Sequence, residues 1–468
     1  MESKKVEFFN KLSFTILLLT IFLSLFFFIP FVPVSLDASK GFLLSIGVTL
    51  ALFFWLIARL GEGKFVVPKD RLILFAGAIP LVFFASSLFS SSKYVSFFGS
   101  GFEMGTFGSM FVLFILFFLS SIYFQTEKKL WYFYSAFFLS ATVVAIFEIF
   151  NIFIGFSKIS PNLLSGITSG NLIGTWNDFA LFFGLVILLS VFTIEFLKTK
   201  GLLLIMQYFL LISGLLFLVI INLPLVWILV GLFSIIIFVY SISVQQAGVK
   251  IIHNGSDKRK FPFTALVVVF ISLVFFVGHN SLGGLIDRYV NVPNTDIRPL
   301  VSTTTEIAIK AIKHNPFLGT GPNTFLIDWA LWQPKQIAQS IFWNVDFNNG
   351  FSSILTFVVT TGILGLIAWL LFLLTFFVRG VKSLSKVLIN PLSNYFTITT
   401  LIIAVYSWIS LLVFTPNVIM FIMAFTSSGM LLGILVYNQI VPVKNFSFLN
   451  DPRNSFFSIL GLMVLMIL

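Results

Sequence analysis

From Leu202 to Ser243 the chain reads LLLIMQYFLLISGLLFLVIINLPLVWILVGLFSIIIFVYSIS, without one charged residue. Its two halves, near 202–222 and 225–243, each match the roughly 20 residues a helix needs to cross about 30 Å of hydrocarbon. Inside lipid every backbone N–H and C=O must find an internal partner, so such runs are read as helices. Working outward, the same reading repeats near 12–33, 42–58, 72–89, 106–124, 131–154, 179–197, 262–278, 351–378, 395–415 and 418–437, making twelve spans. A further apolar run, Phe456 to Leu468, is shorter than the roughly 17 residues of even a brief crossing and reads as a thirteenth span cut short.

The composition agrees. Of 468 residues 58% are hydrophobic and 10% charged, with a mean hydropathy of +1.07, against roughly 25% charged in a soluble domain. A soluble globular enzyme is excluded, and the expected fold is an all-α, polytopic membrane protein of about twelve to thirteen transmembrane helices. Cysteine is absent, which removes thiol catalysis, disulfides and cysteine metal sites. The 63 phenylalanines are read as lipid-facing packing.

The formal charge of +11 is read through placement before its sum, because basic residues orient membrane proteins; nucleic acid is not an expected partner. With the N-terminus inside, 20 of the 28 lysines and arginines fall on the cytoplasmic face and 8 on the other. The lysines ahead of the first span are followed by no small-residue cleavage site, so that helix is expected to be retained. The chain divides into an N-terminal bundle of about nine spans (1–278), an extracytoplasmic loop (279–350) and C-terminal spans (351–468). A connection of that length exceeds the usual few residues, and long ordered loops tend to carry binding or catalysis; a passive lid is the alternative.

Within the loop, Thr303 to Glu306 has the Thr-x-x-Glu form of a capping box, opening an amphipathic helix with Ile307, Ala308, Ala311 and Ile312 on one stripe. The stripe is expected to rest on the membrane domain. Glu306 and Lys310 stand at i and i+4, and Asn315-Pro316 ends the helix. Pro316 to Phe325 then reads PFLGTGPNTF. Gly319 and Gly321 either present backbone N–H groups to an anion or simply form a turn between helices. Trp329, Trp332 and Trp343 follow, expected as headgroup-level anchors, with stacking on sugar as the alternative.

Arg298, the amphipathic helix, Pro316-Phe317-Leu318-Gly319-Thr320-Gly321, the aromatic segment and Thr361-Gly362-Ile363-Leu364-Gly365 occur in the order of the O-antigen ligase and O-antigen polymerase family, which this chain resembles over roughly residues 296–370. Gly174-Thr175-Trp176-Asn177-Asp178 is similar to that family's Gly-x-x-Asn turn. The resemblance implies about twelve helices and one large outer loop. It further implies transfer of a glycan from an undecaprenyl diphosphate carrier to a lipid, glycan or protein acceptor, at the outer face of the bacterial cytoplasmic membrane. Neither a nucleotide sugar, a metal nor another cofactor is implied.

A diphosphate leaving group needs fixed positive charge, and the planar fork of arginine suits phosphate oxygens. Arg298 matches the family's arginine. Arg288 is either a second phosphate contact or the partner of adjacent Asp287. The chemistry also needs a base to take the acceptor hydroxyl's proton. Here the chain departs from the pattern: Phe351-Ser352 stands where the family has His-Asn. Asp346 is the substitute base, or merely caps span ten, and Asn348 and Asn349 can bind the acceptor. Glu148, inside span five, either faces a cavity or is a structural glutamate. Asp178 is either a substrate contact or the N-cap of span six. A flippase or other transporter is the rival function, weakened by the lack of an internal repeat with paired broken helices. A metal-dependent polyprenyl-phosphate glycosyltransferase is disfavoured, since the first outer loop offers only Asp37.

Overall fold

The computed structural model describes residues 2–32, 34–99, 101, 103–154, 171–197, 199–246, 261–279, 281–282, 298–334, 337, 343–386 and 391–447. Arg288 and the run 456–468 lie outside them. The protein is an all-α, multi-pass membrane protein. Ten described helices are long and apolar enough to cross a bilayer: α1 (Glu2–Ser24), α2 (Leu36–Glu62), α3 (Arg71–Phe89), α6 (Glu127–Ile154), α7 (Trp176–Phe196), α8 (Leu202–Ile221), α9 (Pro224–Gln246), α13 (Ser353–Lys386), α14 (Pro391–Val413) and α15 (Val418–Tyr437). Between them come a short α4 (Lys93–Phe98), α5 (Phe107–Tyr123) and α10 (Phe263–Val277), and the loop helices α11 (Val301–His314) and α12 (Phe325–Trp332). Helices α5 and α10, of 17 and 15 residues, are shorter than the others but occupy the remaining two span positions expected from hydropathy.

The apolar window of α15 is wholly buried and that of α7 is 89% buried, whereas that of α1 is only 28% buried. The first two therefore form the shaft of the bundle, and the outer helices offer side chains such as Leu74, Leu81, Leu202 and Phe270 to lipid. Helix α15 packs between α5 and α14. At Gly429 a side chain would collide with the Phe117 carbonyl of α5, so the missing Cβ sets the helix separation.

Polar caps fix the ends. Asp70 accepts from Leu72 N–H at 2.8 Å, and its other carboxylate oxygen lies 2.7 Å from Arg379 at the far end of α13. On the same side, β1 (Lys64–Pro68) pairs antiparallel with β2 (Val443–Ser447). This two-stranded sheet staples the second helix to the segment after the last described one. Nothing in the apolar pattern announces it.

Span ten differs from the continuous helix expected. Gly362 adopts φ 68°, ψ −159° inside α13, a region essentially reserved for glycine. The break is filled by the loop. Ile363 N–H donates to the Pro316 carbonyl (2.9 Å), Leu364 N–H to the Phe317 carbonyl (3.1 Å), and the Thr360 carbonyl accepts from Gly321 N–H (2.9 Å). Irregular backbone at membrane depth is tolerated where protein satisfies it in this way.

Candidate functional site

The two motifs PFLGTG and TGILG form one object. An ideal Cβ on Gly319 (φ +65°) would lie 2.5 Å from the Thr360 carbonyl and 2.7 Å from Gly362 N, and one on Gly362 would lie 2.6 Å from Gly319 N. The glycines let two backbones touch. Their N–H groups are spent, Gly319 on the Asn315 carbonyl and Gly321 on that of Thr360, which corrects the anion-cradle reading: the turn reading describes these glycines. From α3, Ser86 Oγ donates to the Leu318 carbonyl at 2.6 Å and locks the turn from the other side.

The loop has its own small core. Ile307, Ala308 and Ala311 pack with Phe325, Trp329, Phe347 and Val359 of α13, so the amphipathic stripe does rest on the membrane domain, and Lys310 pairs with Glu306 at 2.7 Å. Two expectations are corrected. The helix begins at Val301, with Leu300 at the N-cap and no capping side chain. Thr304 and Thr305 instead donate back to the Leu300 and Val301 carbonyls, an alternative open to hydroxyls one turn in. Trp329 is no headgroup anchor: it is buried, with its ring 4.7 Å from that of Phe347, while Trp343 is exposed. Asp328 is buried beside it, accepting from Thr320 Oγ1 at 2.8 Å, and burial pushes its carboxyl up to about 7.

Above this frame, where five interhelical segments meet at the end of the bundle that carries the loop, lies a cavity of about 520 Å³. Arg298, Asn323 and Asn349 line it from the long loop, Asp37 from the first turn of α2, and Glu103 from the α4–α5 connection. Thr175 to Asp178 and Thr415 to Val418 complete the wall.

Arg298 is held from both sides. Its Nη1 donates to the Val413 carbonyl (2.6 Å) and the Phe351 carbonyl (3.0 Å), and its Cζ sits 4.4 Å and 4.7 Å from the ring centroids of Phe351 and Phe414. Val413 is the last residue of α14, where the negative end of the helix dipole welcomes a cation. Phe351 is therefore one wall of a guanidinium clamp.

Asp178 joins two loops. Its Oδ2 accepts from Thr175 N–H (3.0 Å) and Thr175 Oγ1 (2.6 Å), and its Oδ1 from Asn417 N–H (2.8 Å). It is the N3 residue of a capping box whose N-cap is Thr175, one turn from the position expected. Asn417 in turn donates to the Ile173 carbonyl at 2.6 Å and caps α15 through Ile419 N–H. Behind this wall Lys40 is completely buried, its ammonium donating to the carbonyls of Leu172 (2.7 Å), Ser24 (2.9 Å) and Leu25 (3.1 Å). No local pattern in the sequence marks Lys40 and Asn417, because their partners lie in distant loops, nor Glu103, whose place on the cavity wall is set by the fold.

The remaining candidates separate. Asp346 is exposed and off the cavity wall, whereas its near neighbour Asn349 is on it. Glu148 is fully buried in α6, accepting from Asn151 at 3.2 Å, with no hydrogen-bond partner for its Oε2 among the described residues. It lies apart from the cavity lining. The wall thus presents one guanidinium and three carboxylates, Asp37, Glu103 and Asp178. Among the described residues no group of three or more His, Asp or Glu is placed to hold a metal ion.

No family model matches the chain, and no curated protein does.

Proposed function

We propose that this protein transfers a glycan from an undecaprenyl diphosphate-linked donor to a hydroxyl acceptor, in the manner of O-antigen ligases and polymerases. The cavity opens at the outer face of a bacterial cytoplasmic membrane, and the N-terminus is cytoplasmic. The observation that carries the reading is Arg298: a guanidinium clamped between two rings and two carbonyls on the wall of a cavity at the loop end of the bundle. A fixed cation there offsets the charge that grows on the diphosphate as it leaves, and preorganisation means it need not reorient during reaction. The acceptor oxygen attacks the anomeric carbon, the bond from that carbon to the diphosphate oxygen breaks, and the acceptor's proton passes to a carboxylate.

The carboxylate best placed to take that proton is on the wall. Asp37 and Glu103 line the cavity beside Arg298, whereas Asp346 is outside and Asp178 ties two loops together, so Asp37 and Glu103 are the bases to test first. Asn349 and Asn323, also on the wall, supply amides for sugar hydroxyls. A flippase needs a route to the opposite face, and the wholly buried α15 together with α7 fills the bundle below the cavity, which favours one-sided chemistry.

The test is transfer from an undecaprenyl diphosphate-linked glycan to candidate acceptors by purified protein. Arg298→Ala is expected to lower turnover by about 100-fold or more, the scale for losing one preorganised charge-stabilising group. Transfer by the variant equal to wild type removes the role assigned to Arg298.

A further inference from the structure

At the end of the bundle opposite the Arg298 cavity, the start of α1, the end of α2 and the start of α6 enclose a second hollow, of about 770 Å³. Its wall holds Lys11, Lys64 and Lys129 together with Glu7 and Glu62. Both glutamates are already neutralised. Lys11 Nζ lies 2.6 Å from Glu7, and Arg59 pairs closely with Glu62 while its other terminal nitrogen donates to Asn10 Oδ1 at 2.7 Å.

Two ammonium groups are left without a counter-charge among the described residues. Lys64 is exposed at the start of β1. Lys129 is half-buried, its Nζ 4.9 Å and 5.2 Å from the ring centroids of Tyr123 and Phe14. The ring faces attract a cation but accept none of its three N–H donors in full. A half-buried ammonium beside an open hollow is a site prepared for an oxyanion.

Outside the same helices, Phe8 of α1 and Phe53 and Leu60 of α2 are exposed, on surfaces that face lipid when the bundle is in a bilayer. Polar and apolar halves of one site are thus side by side. Basic pockets between transmembrane helices are suited to phosphate headgroups in this way, because the lysines meet the phosphate while the tails stay in hydrocarbon. We propose that this hollow binds the phosphodiester headgroup of an anionic membrane lipid, with Lys64 and Lys129 on the phosphate and the acyl chains along α1 and α2. The site is separate from the glycan-transfer reading and stands without it.

Native mass spectrometry of the detergent-purified chain with added phosphatidylglycerol or phosphatidylcholine tests this. Wild type is expected to retain phosphatidylglycerol at least tenfold better. The Lys64→Gln, Lys129→Gln double variant should lose that preference, and Lys64→Arg, Lys129→Arg should keep it. Equal retention of the two lipids by wild type, or an unchanged preference in the Gln double variant, overturns the proposal. So does displacement of the lipid by equimolar inorganic phosphate, which assigns the site to the free anion. Should the double variant fail to fold, Lys64→Gln alone, at an exposed position, must lower the preference several-fold, and no change overturns the proposal equally.

Discussion

Replacing Gly319 by alanine tests whether the loop and the broken helix are one unit. Gly319 has φ +65°, and the added methyl meets the Thr360 carbonyl at 2.5 Å and Gly362 N at 2.7 Å. These neighbours are backbone on a packed helix and cannot rotate away. Left-handed backbone costs a non-glycine residue about 1–2 kcal/mol, and overpacking of this kind about 1–3 kcal/mol more. The turn is docked through three backbone bonds and the Ser86 hydroxyl, each contributing roughly 1 kcal/mol net. Penalty and docking energy are therefore comparable, and the turn should spend a large share of its time undocked. A loss of about 3 kcal/mol of local stability corresponds to more than a hundredfold rise in amide exchange at Ile363 and Leu364, since about 1.4 kcal/mol is a factor of ten. Gly201 is the control: its φ is +59° but nothing lies within 4 Å of an added Cβ, so Gly201→Ala carries strain without collision. Hydrogen–deuterium exchange on both variants decides the matter. If Gly319→Ala leaves exchange at residues 360–364 no faster than Gly201→Ala does, the close backbone contact is not what holds the turn.

Asp328 gives a pH signature. Its carboxyl is raised to about 7 by burial, against an ordinary 3.8, so the folded chain binds the proton more tightly than the unfolded one. Its contribution to stability is fully present below about pH 4 and is lost as pH rises through about 7. Thermal unfolding of wild type against Asp328→Asn should therefore show a decline between those limits that the asparagine variant lacks; parallel profiles refute it. Asp178→Ala removes the acceptor for Thr175 and Asn417 together. It should cost about 2–4 kcal/mol, read as a lowered unfolding midpoint in detergent, with Asp178→Asn intermediate. A midpoint unchanged in Asp178→Ala means the two loops are not joined through that carboxylate.

The spans are legible in the sequence because lipid imposes a length and a polarity that a single window can detect, as from Leu202 to Ser243. The amphipathic stripe Ile307, Ala308 and Ala311 is legible for the same reason: a helical period is local. What escapes is whatever depends on a partner far along the chain. Phe351 reads as the loss of a histidine, yet it flanks Arg298 with Phe414, sixty-odd positions further on. The glycines at 319 and 362 read as a turn and a span, because only their mutual contact explains both. Trp329 reads as an interfacial residue because composition cannot distinguish a ring facing lipid headgroups from one packed beneath a loop. Lys40 reads as an ordinary outer lysine, since its three carbonyl acceptors come from two other segments.

The β1–β2 pair has a consequence for biogenesis. Strand β1 is translated directly after the second helix, but the segment it pairs with, Val443–Ser447, emerges only after the last described helix. Throughout synthesis β1 therefore presents an open edge to whatever else is near the insertion machinery, with Lys64 at its start and Lys69 just beyond its end as the charges that discourage mispairing. Closure of that sheet is therefore among the last steps of assembly, since it waits until residues 443–447 have been made.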